Sequence, residues 1–471
     1  MTALKRTAAS AGAKKITPVR DPKIVDANPE KQFFIAMLVR DIELVPSIVD
    51  LVDNSIDSAK EVLSSFAGKK PKIRIEITAN DKRFEITDNC GGIDSRLAQQ
   101  YAFRFGRPSE HKGVEDAIGQ FGIGMKRSLF KLGQHFIVES STKSSSFVLD
   151  VDVAKWAEDS SSNWTFKFKN VSYTKNSSSR SHGTYVLVDE LHKSVADDLG
   201  TIETINRLRA EISTRHAPAL NDGVSISVNG QDLVGHVPAL LASNLIAPIA
   251  TEFLFNFPEG DVGVSLYAGI APSKERDSEK DDGNAESFKD AGDAGWYIYC
   301  NGRLVIAADK SELTGWSQPV AAAYHPQYRD FRGYVFLNAT ESSLLPWDTT
   351  KTSLDRDSQV FRALQGKMFN ALQQVQTVLN RVKGEKAGGV KGGAISTALK
   401  STTPIELKRL NLSPIFVAPV APKKVKSQTV SVQFNLNNTI ANQLQEYFNV
   451  RSAREAARLA VERFVQTELD Q

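Results

Sequence analysis

The feature that most limits how this chain can fold is a change of hydrophobic period. Residues 31–66, KQFFIAMLVRDIELVPSIVDLVDNSIDSAKEVLSSF, carry apolar side chains at helical spacing, interrupted near Pro46. KIRIEITA and RFEITDN then alternate apolar and polar residues, as paired strands around a short turn do. GQHFIVESS, SFVLDVDV, WTFKFKNVSY and GTYVLVDEL add further strands. Helices first and then mostly strands predict an α+β domain.

At 471 residues the chain is too long for one ordinary core. A second mixed block holds a helix, TIETINRLRAEISTRH, and strands in GVSISVNG, ATEFLFNF, VGVSLYAGI, GWYIYCNGRLVIA and RGYVFLNA. The expected divisions are a flexible basic tail (1–28), a first domain (29–195), a second (196–355), a long helix (356–383), a linker (384–428) rich in Gly, Pro and Lys, and a small strand-helix-helix module (429–471). The charged stretch 272–294 reads as a surface loop. With 41% hydrophobic and 24% charged residues the composition is that of a soluble globular protein. Two cysteines, Cys90 and Cys300, give neither a disulfide framework nor a zinc pattern and fit a reducing, cytoplasmic compartment. No apolar run is long enough to cross a bilayer, and no secretory segment is evident. The net charge of +3 is too small to name a partner.

Within the first helical stretch, DLVDNSIDS puts Asp50, Asn54 and Asp57 at i, i+4 and i+7, on one face. Clustered carboxylates resist burial unless cations or donors meet them; Asp53 is expected to face solvent. Asp88 ends the strand RFEIT and opens DNCGGI, where two glycines allow close backbone approach to a flat ligand. GQFGIGMKRS leads Gly119, Gly122 and Gly124 into a helix, exposing N–H groups that suit a phosphate. Lys126 and Arg127 lie in its first turn, where the helix dipole disfavours cations, so an anion is expected there. Met125 before Lys126 excludes a Walker A loop, and Arg127 stands where a dinucleotide fingerprint needs its third glycine.

These three motifs in order, followed by HGT at residues 182–184, resemble the GHKL ATPases, which include gyrase B, the ninety-kilodalton heat-shock chaperones, histidine kinases and MutL. The likeness covers about residues 33–190; IGQFGIGMKRSLFKLG is nearest in flavour to the MORC and heat-shock-chaperone branches, and the chain as a whole to MORC- and MutL-like ATPases. It implies a Bergerat-type ATP-binding α/β sandwich followed by a transducer-like α/β domain. It further implies ATP and Mg²⁺ as cofactors. Asn54 would hold the metal, with Asp57 on the same stripe, and Asp88 would accept from the adenine amine. Gly92 and Ile93 would lie behind the base, supported by Thr184. Gly119, Gln120, Phe121, Gly122, Ile123, Gly124, Met125 and Lys126 would wrap the phosphates, at the end of a lid starting near Ser95.

Two positions depart from the family. Asp50 stands where a glutamate usually serves as base; it is still the candidate general base, its reach shorter by roughly 1.3 Å. Cys90 replaces a usual glycine and is expected to pack rather than react. WYIYCNGRLV looks like a transducer strand pair, and LPWDTTKTSLD stands where the family has a loop carrying a lysine to the γ-phosphate, which makes Lys351 the candidate sensor. Family members commonly dimerise on ATP through swapped N-terminal segments.

In the C-terminal module, TVSVQFNL alternates strictly, and two apolar helical faces follow, capped by Asn437 or Asn438 and by Ser452. This resembles a ribbon-helix-helix DNA-binding unit, which implies that Thr429, Ser431 and Gln433 read bases and that Lys423, Lys424 and Lys426 contact phosphates. The leading expectation is an ATPase acting as an ATP-gated dimeric clamp on DNA. The alternatives are an ATP-binding switch without turnover, or a chaperone-like ATPase acting on proteins.

Overall fold

The structure, a computed structural model, describes residues 29–40, 42–65, 70–105, 118, 123–159, 164–173, 182–272, 293–317, 321–348, 350–387, 393–420, 433 and 435–469. It divides into two compact units, residues 1–419 and 420–471. The expected basic tail and most of the charged insertion lie outside the described residues.

Unit one contains an eight-stranded sheet. Its strands are β1 (Arg74–Ala79), β2 (Phe84–Asp88), β3 (Gly133–Ser141), β4 (Ser146–Asp152), β5 (Phe168–Ser172), β6 (Gly183–Leu191), β7 (Ser225–Val228) and β8 (Gln231–Asp232), in the order β5-β4-β3-β6-β2-β1-β7-β8. Every pairing is antiparallel except β1 with β7. Because side chains alternate along a strand, Ile75, Ile77, Phe84, Ile86, Phe136, Val138, Val186 and Val188 bury one face. Arg74, Glu76, Thr87 and Glu139 stand on the other, exposed.

Helix Leu44–Ser64 lies in the same core, with Ile48, Val49, Val52 and Ile56 fully buried. Pro46 falls in its first turn, where the missing N–H costs no helical bond. The helical break therefore comes earlier, between Lys31–Arg40 and Leu44. Helices Gly124–Leu132 and Ile202–Arg215 both pack on Leu44–Ser64. The sheet runs past the division expected at residue 195, since β7 and β8 extend it.

Further strands are β9 (Ala239–Ala242), β10 (Ile249–Phe257), β11 (Gly260–Ile270), β12 (Gly295–Cys300), β13 (Arg303–Asp309), β14 (Phe331–Asn338) and β15 (Thr403–Glu406). A five-stranded sheet runs β10-β11-β14-β12-β13, with helix Gln359–Ala387 against β11 and β14. The stretch expected as linker is partly structured. Helix Ala394–Lys400 is followed by β15, which pairs with β9. Ser413 and Val417 then exchange backbone hydrogen bonds of 2.7–3.1 Å with Ala250 and Ala247. Prolines there suppress regular structure but do not prevent an extended segment from edging a sheet.

Unit two shows helices Asn438–Phe448 and Ala453–Phe464, capped by Asn437 Oδ1 on the Thr439 N–H (2.9 Å) and Ser452 Oγ on the Glu455 N–H (3.4 Å). Of the described residues in this unit, only Ala441 and Ala456 are buried; Ile440, Tyr447, Val461 and Phe464 are exposed. Thr429, Ser431, Lys423, Lys424 and Lys426 lie outside the described residues. No described helix is long and apolar enough to cross a membrane.

Candidate functional site

At the end of β2, Asp88 is held by groups from three elements. Its Oδ2 accepts from Ser55 Oγ of helix Leu44–Ser64 at 2.7 Å. Its Oδ1 accepts the Cys90 N–H at 2.9 Å and the Thr184 N–H at 3.2 Å. Burial pushes the carboxyl up from its ordinary range, and these donors oppose that push. Gly91 and Gly92 follow with φ of +87° and +75°. A Cβ on Gly92 would overlap the Ser141 carbonyl oxygen, and one on Gly183 would overlap that of Asp88. These glycines are therefore required by close backbone approach. Ser140 Oγ accepts the Ile93 N–H (2.7 Å) and lies 3.1 Å from Thr184 Oγ1, tying Ile93 and Thr184 to one rim. Cys90 is buried, and burial together with Asp88 pushes its thiol up, which disfavours the thiolate.

The stripe on helix Leu44–Ser64 is more occupied than its sequence suggests. Asn54 is exposed, its Nδ2 donating to the Asp50 carbonyl at 2.9 Å. Both Asp57 carboxylate oxygens lie 2.8 Å from the Ile118 backbone nitrogen. Asp53, expected at the surface, is fully buried. It pairs with Lys351 Nζ at 2.7 Å and with Arg303 Nη1, and His216 Nε2 lies 3.3 Å away. Asp50 pairs with Arg127 Nη2 (2.8 Å) and Arg303 Nη1 (3.2 Å). Buried carboxylates persist only with such counter-charges. The anion expected at the first turn of helix Gly124–Leu132 is thus, for Arg127, Asp50 itself.

These counter-charges come from distant segments. Arg303 opens β13, and Lys351 sits with φ +55° in the loop after β14. Burial lowers Arg303 to about 10 and Lys351 to about 8, with Asp50 opposing both shifts. Burial lowers Lys126 to about 7; its Nζ donates to the Ala102 carbonyl at 2.9 Å. His216 is pushed down to about 3, first by burial and then by the charges of Lys60, Lys351 and Arg215, so it is neutral.

The structure therefore brings Asp50, Asn54, Asp57 and Lys351 around one helix, with Gly124 beside Asp50, where a Cβ would sit 3.7 Å from Oδ2. Ile123 precedes that helix and Met125 lies in its first turn. Gly119, Gln120, Phe121 and Gly122 lie outside the described residues. A groove of about 760 Å³ is lined by Asp88, Ser140, Gly183 and Thr184 together with outer-face residues Arg74, Glu76, Glu139 and Tyr185. Asp50, Asn54 and Lys351 do not line it; most of its lining belongs to the exposed face of the sheet, opposite the buried face that carries helix Leu44–Ser64. Sequence reasoning missed Ser55, His216 and Arg303. Ser55 had a signal, one residue beyond Asn54 on a helix facing Asp88; the other two had none locally.

Residues 42–184 match the family model described as Histidine kinase-, DNA gyrase B-, and HSP90-like ATPase. The match spans the acidic stripe, both glycine-rich segments and Thr184, and it supports the GHKL likeness and ATP binding by this stretch. No curated protein matches the chain.

Proposed function

We propose that unit one binds Mg–ATP and acts as an ATP-dependent conformational switch. The observation that carries this reading is the Asp88 carboxylate. It is half-buried, steadied by Ser55, Cys90 and Thr184, and stands beside Gly92 and Gly183, where only glycine permits the close approach of backbone to backbone. In this reading Asp88 accepts from the adenine amine and Thr184 supports the ring edge. The nucleotide's phosphates then lie toward Asp50, Asn54 and Gly124. Asn54 suits Mg²⁺: its Nδ2 is occupied by Asp50, which leaves Oδ1 for the ion. Among the described residues no cluster of three or more His, Cys, Asp or Glu side chains forms a metal site. One protein oxygen plus phosphates and water is an ordinary set for Mg²⁺. Held by Asn54, magnesium would supply positive charge that offsets the charge of the phosphates.

Lys351, already against the stripe, is the sensor of the terminal phosphate, and Asp50 the base for the attacking water. A clamp made by two copies, acting on DNA through the C-terminal module and the lysines before it, is the wider form of the proposal. The exposed apolar faces of the two C-terminal helices and the Lys423–Lys426 segment support it. A specific observation favours a second form, binding with little turnover: Asp50 is held by two guanidiniums, which compete with water for its oxygens. Turnover of radiolabelled ATP with and without duplex DNA separates the two. DNA-stimulated hydrolysis supports the clamp; tight binding with no turnover supports the switch.

A further inference from the structure

His135 stands near the start of β3, at the other end of that strand from Ser140. Phe136 and Val138 point into the core, so His135 faces the outer side of the eight-stranded sheet. Its register partners are Asp152 on β4 and Asp189 on β6. The imidazole ring lies between two carboxylates: Nδ1 is 2.5 Å from Asp189 Oδ1, and Nε2 is 2.8 Å from Asp150 Oδ1. A neutral imidazole has one N–H donor and one lone pair, while an ionised carboxylate only accepts. A neutral ring would therefore set a lone pair against one of the two carboxylates. Only the imidazolium donates to both.

The surrounding charges point the same way. Asp150 and Asp152 come from β4, and Asp189 and Glu190 from β6. Against them stand Lys169 of β5, 2.7 Å from Asp150, and Lys155 of helix Val153–Glu158, 2.7 Å from Asp152. With a neutral His135 that leaves four carboxylates and two ammonium groups. Burial lowers the affinity of the ring for its proton, but the bonds to Asp150 and Asp189 raise it, and the balance lies above the ordinary 6.5. Lys169 first, and His135 after it, hold Asp150 below the usual carboxylate range.

We propose that His135 is a proton-read latch across β4, β3 and β6: its imidazolium ties Asp150 to Asp189, and loss of the proton loosens the β5–β4 end of the sheet. That end is one margin of the strand order, and three of the five residues of β5 are exposed. The latch thus acts where little other packing holds the sheet. Its sign follows from the raised folded value: the contribution is fully present below pH 6.5 and is lost as pH rises through the folded value. It does not depend on the nucleotide reading.

The test has two parts, both on the full chain. Nitrogen-15 NMR across a pH titration follows the histidine ring nitrogens, and His135 is the ring whose titration moves toward 6.5 in D189N. Both of its nitrogens are expected to carry protons at pH 6.5, with the midpoint above that value. Hydrogen exchange of the β4 amides, corrected for the intrinsic pH dependence, is then compared in wild type and H135Q. Below the midpoint H135Q should exchange at least about threefold faster, and above it the two should converge. A bare ring nitrogen at pH 6.5, or a midpoint that D189N leaves in place, would overturn the latch. So would β4 exchange that is the same in H135Q and wild type below the midpoint. The ring measurement stands even where H135Q folds poorly.

Discussion

Lys351, on the loop after the five-stranded sheet, places its ammonium 2.7 Å from Asp53, on a helix of the eight-stranded one. The two residues are 298 positions apart in sequence, and both are buried. One contact thus joins the acidic helix to the part of the chain that would respond to it.

Removing that contact has a stability cost and an activity cost. Lys351→Ala leaves Asp53 to Arg303 alone, and the expected loss is about 2–4 kcal/mol in denaturant unfolding, toward the lower end for a broken buried pair because one partner remains. ATP binding is expected to stay near wild type while turnover falls. Equal loss of binding and turnover would argue against a sensor.

His216 makes stability depend on pH. Its folded value of about 3 lies below the ordinary 6.5, so below pH 6.5 the unfolded chain takes up a proton that the folded chain refuses. Its contribution is therefore fully present above pH 6.5 and is lost as pH falls toward 3. The expected slope is about 1.4 kcal/mol per pH unit. His216→Gln should flatten the unfolding free energy across pH 6 to about 4 by that amount relative to wild type. Parallel wild-type and variant curves would contradict the burial of a neutral ring.

Gly183→Ala drives a methyl into the Asp88 carbonyl, and Gly92→Ala adds a positive-φ penalty to a clash with Ser141. Each is expected to destabilise unit one by at least about 2 kcal/mol and to abolish nucleotide binding. Gly223→Ala, also at positive φ but with nothing near its Cβ, is the control; it should cost about 1 kcal/mol and leave binding intact.

Much of the first sheet was legible because its signals are local. GQHFIVESS and GTYVLVDEL are β3 and β6 to the residue, since strict alternation needs only neighbouring positions. The helical spacing likewise put Asp50, Asn54 and Asp57 on one face. Asp53 was misread because its burial depends on Arg303, His216 and Lys351, none near it in sequence. β7 was read as a strand but given to the wrong block, since its parallel pairing with β1 leaves no mark in either segment. The docked stretch from β15 to Val417 looked like linker because its prolines hide the pairing made by the backbone between them.

A chain ending at residue 419 tests the division into units. It is expected to unfold at the midpoint of the full-length protein's first unit, bind ATP unchanged, and lose DNA binding if the C-terminal module carries it. A shifted midpoint would contradict the independence of the two units.

The central claim is the nucleotide pocket at Asp88. Calorimetric titration with a nonhydrolysable ATP analogue in magnesium buffer should give saturable binding to the wild type, and Asp88→Asn, which replaces one carboxylate oxygen by an N–H donor, should weaken it by at least about 50-fold if Asp88 accepts from the adenine as proposed. No heat with the wild type, or equal affinity in Asp88→Asn, would contradict the account.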